Sequence, residues 1–147
     1  MPQFGRPSTD TTREAWVEDD GTTTDIWDQI DEVVADDLDY VRSALVPTND
    51  VYVTQLTAVT DPLQSTGHIV RYRYGKDAAA GAQIDLTIQL RQGYVNEGTP
   101  GTLIATVATL TNIPAGWTAG SYTLTAGEAD NITSYSSLYI RFVANQI

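Results

Sequence analysis

The sequence predicts an all-β protein, an antiparallel β-sandwich of jelly-roll type, on three observations. Apolar and polar residues alternate over short runs, and clusters of Gly, Pro, Asn and Asp separate those runs. No long amphipathic helix stands between them, as a βαβ arrangement would require. At 147 residues the chain suits one domain. The expected organisation is an extended N-terminal arm over residues 1–13, then a single sandwich domain over 14–147, with one or two short helical turns.

The first dozen residues carry Pro2, Gly5 and Pro7 ahead of a Ser/Thr/Asp run. They lack apolar periodicity, which predicts an arm lying apart from the core. From Thr24 onward Ile26, Trp27, Ile30, Val33 and Val34 recur at helical spacing, with Asp25, Asp28, Asp31 and Glu32 on the other side. That pattern predicts one or two helical turns capped by Thr24 or Asp25. Asp36 and Asp37 predict a turn, followed by a short extended piece over 40–45.

Beyond Pro47 the strands begin. Residues 51–57 and 68–74 are rich in β-branched and aromatic side chains. Between 84 and 91, Ile84, Leu86, Ile88 and Leu90 alternate with Asp85, Thr87, Gln89 and Arg91, the pattern of a strand with one buried face. The small-residue run 75–82 has flanking glycines and predicts a hairpin loop joining its two neighbouring strands. Further strands are expected over 102–111, 117–125 and 138–144, with a helical turn within 128–135. The last strand ends close to Ile147, which predicts a C-terminus fixed by pairing inside a sheet.

Composition removes several chemistries. There is no cysteine, so neither a disulfide nor a thiolate site can form. A single histidine, His68, excludes sites that need two imidazoles. The net charge is −11 with only eight basic residues, which argues against a phosphate-binding surface and so against a nucleic-acid partner. No apolar run reaches membrane-spanning length and the N-terminus lacks a signal-like apolar core, so no membrane role is expected and synthesis in a cytoplasm is. The charge is also uneven: residues 1–46 hold twelve acidic side chains against Arg6, Arg13 and Arg42. Such a segment is expected to be solvated, to face a basic partner or to bind a cation.

Several segments together resemble a β-sandwich module of tailed-bacteriophage structural proteins and phage-derived surface proteins. They are Arg6-Pro7 with Asp10 and Trp16, Ile30-Asp31-Glu32, Asp36-Asp37, Asp39-Tyr40-Val41, and the arginine-bearing Val70-Arg71-Tyr72-Arg73. Ile84-Asp85-Leu86 with Leu90, Gly101-Thr102-Leu103-Ile104-Ala105, Ile113-Pro114-Ala115-Gly116-Trp117, Ala126 to Ile132 and Leu138-Tyr139-Ile140-Arg141-Phe142 complete the likeness, which covers nearly the whole chain. The resemblance implies a virion component, either a capsid decoration (cement) or head-fibre protein or a minor tail protein. For the decoration protein its partners are the major capsid protein and other copies of itself, in a homo-oligomer such as a trimer, on the outer capsid surface. It implies no catalysis and no cofactor.

Candidate contact residues follow. Phe4, Arg6, Arg13 and Trp16 on or beside the arm, with Arg71 and Arg73 on one face of their strand, are expected to contact the capsid or a neighbouring subunit. Internal salt bridging is the competing expectation for the two strand arginines. Tyr94 and Trp117 are candidate carbohydrate platforms if the protein reads a glycan, although aromatics more often fill cores. Asp36, Asp37 and Asp39 could offer oxygens to calcium, but their spacing is not that of an EF-hand loop. Ser65, His68 and Asp61 can be written as a triad, yet no nucleophile-elbow pattern accompanies them and no catalytic role is expected.

Overall fold

The computed structural model describes residues 2–147, and the fold is the expected all-β antiparallel sandwich. Its larger layer is a five-stranded sheet built from β1 (Pro7–Thr12), β4 (Asp50–Leu56), β6 (Ile84–Gln92), β7 (Thr102–Leu110) and β9 (Leu138–Gln146). The spatial order is β1-β4-β9-β6-β7, and every neighbouring pair is antiparallel. The smaller layer is a ribbon of β5 (Ile69–Tyr74) and β8 (Thr118–Thr123). A second small ribbon pairs β2 (Val17–Glu18) with β3 (Val41–Arg42) beside a single 3-10 turn, Ile26–Ile30.

Period-two alternation sets the two faces of the large sheet. Leu86, Ile88 and Leu90 of β6 lie beside Ala144, Phe142 and Ile140 of β9, and all point to the inner face. Val70, Tyr72 and Tyr74 of β5 and Tyr122 of β8 pack onto that face from the ribbon. Tyr72 lies opposite Gly120, and a Cβ at Gly120 would sit 2.3 Å from the Tyr72 ring. The missing side chain is therefore what lets the ring lie flat across the ribbon.

β7 departs from alternation. Register shifts opposite Ile88/Gln89 and Leu90/Arg91 insert Val107 and Ile104 as extra residues. Each bulge produces a buried doublet, Ile104-Ala105 and Val107-Ala108. The C-terminal strand behaves as expected: β9 is the central strand, bonded to β4 and β6 along its length.

Residues 7–12 are extended, but they are not apart from the body of the protein. They form the edge strand on β4, with shifts at Ser8 and Thr11 that break the outer edge's regular ladder. The run 75–82 is not a hairpin loop either. β5 pairs with β8 while β6 pairs with β7 and β9, so this run carries the chain from one layer to the other. It lies against the 112–117 loop, where a Cβ on Gly75 would stand 2.2 Å from the Gly116 carbonyl oxygen.

The helical expectation near residue 26 is met by the one short turn and goes no further: Val33 and Val34 lie outside it and are exposed. Asp25 sits at its N-cap in the left-handed region (φ 55°), without a side-chain cap bond. Asp10 takes that role from β1, accepting the Ile26 N–H at 2.8 Å. The later turn is α1 (Ala126–Asp130), which begins two residues before the expected stretch. Thr125 and Glu128 form a reciprocal capping box there.

Candidate functional site

The ribbon covers only part of the inner face. Beside it lies an open groove with a volume of about 2130 Å³, floored by inner-face residues such as Leu86, Leu90, Ile140 and Phe142. Residues of β5 line one part of it, and residues between Glu32 and Leu45, in the segment 31–46 that forms its lip, line another. Val33, Leu38 and Leu45 line it and, with Val34 and Val46 beside them, are 66 to 88% exposed. Small-ligand pockets occupy roughly 300–1,000 Å³, so this groove has the dimensions of a polypeptide site.

Carboxyl groups from the acidic segment and from β4 hold this lip in place. Asp50, only 5% exposed, accepts the Ala15 N–H at 3.1 Å and the Ala44 N–H at 2.9 Å, tying both ends of the 15–44 excursion to the start of β4. Glu14 accepts the Val51 N–H at 2.6 Å, and Asp10 accepts the Tyr52 hydroxyl at 2.8 Å. Burial and the neighbouring Asp10 carboxylate push the Tyr52 hydroxyl far above the ordinary phenol range. Trp16, Tyr52 and Phe142 pack ring against ring, with centroids 5.9 to 6.2 Å apart, over the buried Ile26. Glu32 has a raised pKa, first from burial and then from Asp31, Asp39 and Asp36 around it.

These contacts redistribute the residues expected at the surface. Trp16 is 7% exposed and its indole N–H donates to the Asp50 carbonyl at 3.1 Å, so it is a core residue and cannot anchor a neighbouring subunit. The Arg13 guanidinium donates to the Trp16 carbonyl at 2.7 Å. Arg6 donates to the Asp31 and Glu32 carbonyls and lies 5.4 Å from the Phe4 ring centroid, which pins the first residues to the lip. Phe4 remains largely exposed. Arg73 makes a bidentate pair with Asp37 at 2.8 and 2.7 Å, the internal alternative. Arg71, exposed on the same strand face, makes no ion pair among the described residues.

The two aromatic candidates separate. Tyr94 is 3% exposed: the 93–101 loop folds over the outer sheet face and packs the ring on Val51, Val53 and Tyr139. Its hydroxyl bonds Thr12 at 2.8 Å and Glu97 at 2.9 Å, so it offers no glycan platform. Glu97 also takes a bidentate pair from Arg141, which holds its carboxyl below the usual range. Trp117 is part-exposed at the groove mouth, edge-on to Tyr40 with centroids 5.3 Å apart.

Asp36, Asp37 and Asp39 do not form a common oxygen cage. Asp36 accepts the Leu38 N–H at 2.9 Å, and Asp37 is paired with Arg73. Among the described residues the acids that converge within 4.8 Å are Glu18, Asp19 and Asp20, at the surface. Ser65, His68 and Asp61 likewise lack triad geometry. Ser65 donates to Asp130, while His68 Nε2 bonds the Tyr135 hydroxyl at 2.7 Å.

Neither the lip nor the Asp50 clamp is legible in the sequence. The apolar pairs Val33-Val34 and Leu45-Val46 flanking acidic residues were the available signal, but helical spacing assigned the first pair to a buried face. The chain matches no family model, no curated protein and no solved structure.

Proposed function

We propose that this protein is a non-enzymatic structural component of a tailed-bacteriophage particle, a decoration protein that binds and stabilises the outer surface of the head. The observation that carries the binding part of this reading is the exposed apolar lip beside a polypeptide-sized groove. Large exposed apolar side chains gathered in one segment mark interaction sites more often than bare surface, and Val33, Val34, Leu38, Leu45 and Val46 are all exposed. The phage context comes from the segments that resemble virion modules. Its partners in this reading are the major capsid protein and other copies of itself.

The mechanism is linkage. A protein that binds the assembled lattice more tightly than free subunits stabilises the lattice by the difference, and many modest contacts add through multivalency. Phe4 is the arm residue available for such contact, since Arg6, Arg13 and Trp16 are engaged within the chain.

Co-sedimentation of the purified protein with assembled shells and with unassembled capsid subunits tests this. Selective binding to shells, with a rise in shell melting temperature, is expected; equal binding or none would refute it. A second reading, a carbohydrate-binding module on a tail or head fibre, is favoured by the Trp117–Tyr40 pair at the groove mouth.

A further inference from the structure

We infer that the groove takes one extended β-strand of a partner protein, which adds antiparallel to the open edge of β5 and lays alternate apolar side chains on the groove floor. This deepens the assembly reading above and rests on it only for the partner's identity.

The ladder between β5 and β8 shows which main-chain groups are free. The Leu124 N–H donates to the His68 carbonyl at 2.9 Å just before the first ladder pair, and the Gly116 N–H donates to the Lys76 carbonyl at 3.2 Å just after the last. Bonded and non-bonded pairs alternate in an antiparallel ribbon, so Val70, Tyr72 and Tyr74 exchange bonds with β8. Ile69, Arg71 and Arg73 therefore turn their N–H and C=O groups to the opposite edge. Among the described residues β5 pairs with no strand but β8, and no main-chain hydrogen bond from outside the ribbon reaches those three residues. The lip meets β5 through the Asp37–Arg73 side-chain pair and leaves this edge unladdered.

An unladdered edge beside an apolar floor selects an extended polypeptide as the occupant. A strand bonded there would lie roughly 4.8 Å from β5 and widen a layer that has two strands against five. Its residues opposite Val70 and Tyr72 share their inward face and must be apolar. Its residue opposite Arg71 faces solvent beside an exposed guanidinium that makes no ion pair among the described residues, so an acidic side chain is the complement there. Arg73 is already held by Asp37. The chain's total of −11 opposes a strongly acidic partner, so the strand carries that single acid on an otherwise neutral segment. A second copy does not supply the strand from β5 itself, because antiparallel pairing of two such edges sets Arg71 against Arg71 or Arg73.

Titration of the full chain with capped synthetic peptides, followed by fluorescence anisotropy, is the test. The probe is a peptide of roughly eight residues, enough to span β5, that alternates valine with threonine and carries one glutamate at a central threonine position. Saturable binding is expected, and shuffling the same residues out of alternation should weaken it at least about tenfold. N-methylation at the threonine and glutamate positions, whose amides face β5, should abolish binding, while N-methylation at the valine positions should not. Lysine in place of the glutamate should weaken binding about fivefold. Arg71→Glu should reverse that preference and, because Arg71 is exposed, leave the circular dichroism and melting temperature unchanged.

Failure of the alternating peptide to bind would overturn the inference, as would binding indifferent to the position of N-methylation or to the charge at residue 71. A species of twice 16.0 kDa that shuts the peptide out would also overturn it and assign the groove to a second copy. A chain that binds the peptide as expected but ignores capsid shells would support the strand site and sink the decoration reading alone. A chain that binds shells but no peptide would sink only the strand site.

Discussion

Replacing Asp50 with alanine should loosen the lip and the fold together. Its carboxyl oxygens accept the Ala15 and Ala44 N–H groups, and the side chain lies in a site where water does not readily replace it. Hydrogen bonds to a charged group contribute about 1.5–3 kcal/mol each, and these two are part-buried, so losing both should destabilise the protein by about 3 kcal/mol. Against a typical total of about 5–15 kcal/mol that is a large fraction. For a chain of this size it corresponds to a fall in melting temperature of roughly 6–12 °C. Urea denaturation gives the stability change, and amide hydrogen exchange reports where it acts. Exchange at Ala15 and Ala44 should quicken more than at β6 or β9 core amides. A loss below about 1 kcal/mol, or unchanged exchange at those two amides, would refute the idea that one carboxyl group clamps both ends of the excursion.

Other substitutions probe separate parts of the fold. Gly120→Ala should displace the Tyr72 ring and cost about 1–3 kcal/mol, seen as reduced urea stability and altered near-ultraviolet circular dichroism. Trp16→Ala should cost about 3–5 kcal/mol by calorimetry, because it empties the aromatic stack over Ile26; a change typical of a surface residue would contradict its core placement. Glu97 has a folded pKa below its ordinary 4.5, so the stability it contributes is complete above that value and is lost as pH falls through the lowered one. The stability gap between wild type and Glu97→Gln should therefore narrow as denaturation is measured at progressively lower pH.

What could be read in advance was what local periodicity controls. Ile84 to Arg91 alternates over its whole length, and the structure places its apolar half on the inner face. Residues 138–144 likewise read as a strand, and the structure places that strand at the centre of the large sheet. Long-range partnership was not visible in the same way. Nothing local to residues 75–82 distinguishes a hairpin from a crossing between layers, because the difference lies in β5 choosing β8. Bulges hid the buried doublets of β7 from any strict period-two reading.

The candidate site was less legible, for a physical reason. Composition treats an acidic residue as solvated, yet Asp10, Glu14 and Asp50 accept chain N–H groups and hold the segments that form the lip. Sequence offers both Tyr94 and Trp117 as aromatic platforms, with Trp117 the better exposed because it follows the Pro-Ala-Gly turn. A loop folded over the outer face buried the first and left the second part-exposed at the groove mouth. Only tertiary placement separates an exposed apolar lip from a buried helical face, as Val33 and Val34 demonstrate.

The copy number and position of this chain on intact particles test the account most directly, by quantitative mass spectrometry and imaging of the capsid surface. Lattice coverage predicts on the order of tens to hundreds of copies distributed over the shell. A few copies confined to the tail would contradict the decoration reading and direct attention to the Trp117–Tyr40 pair as a glycan contact.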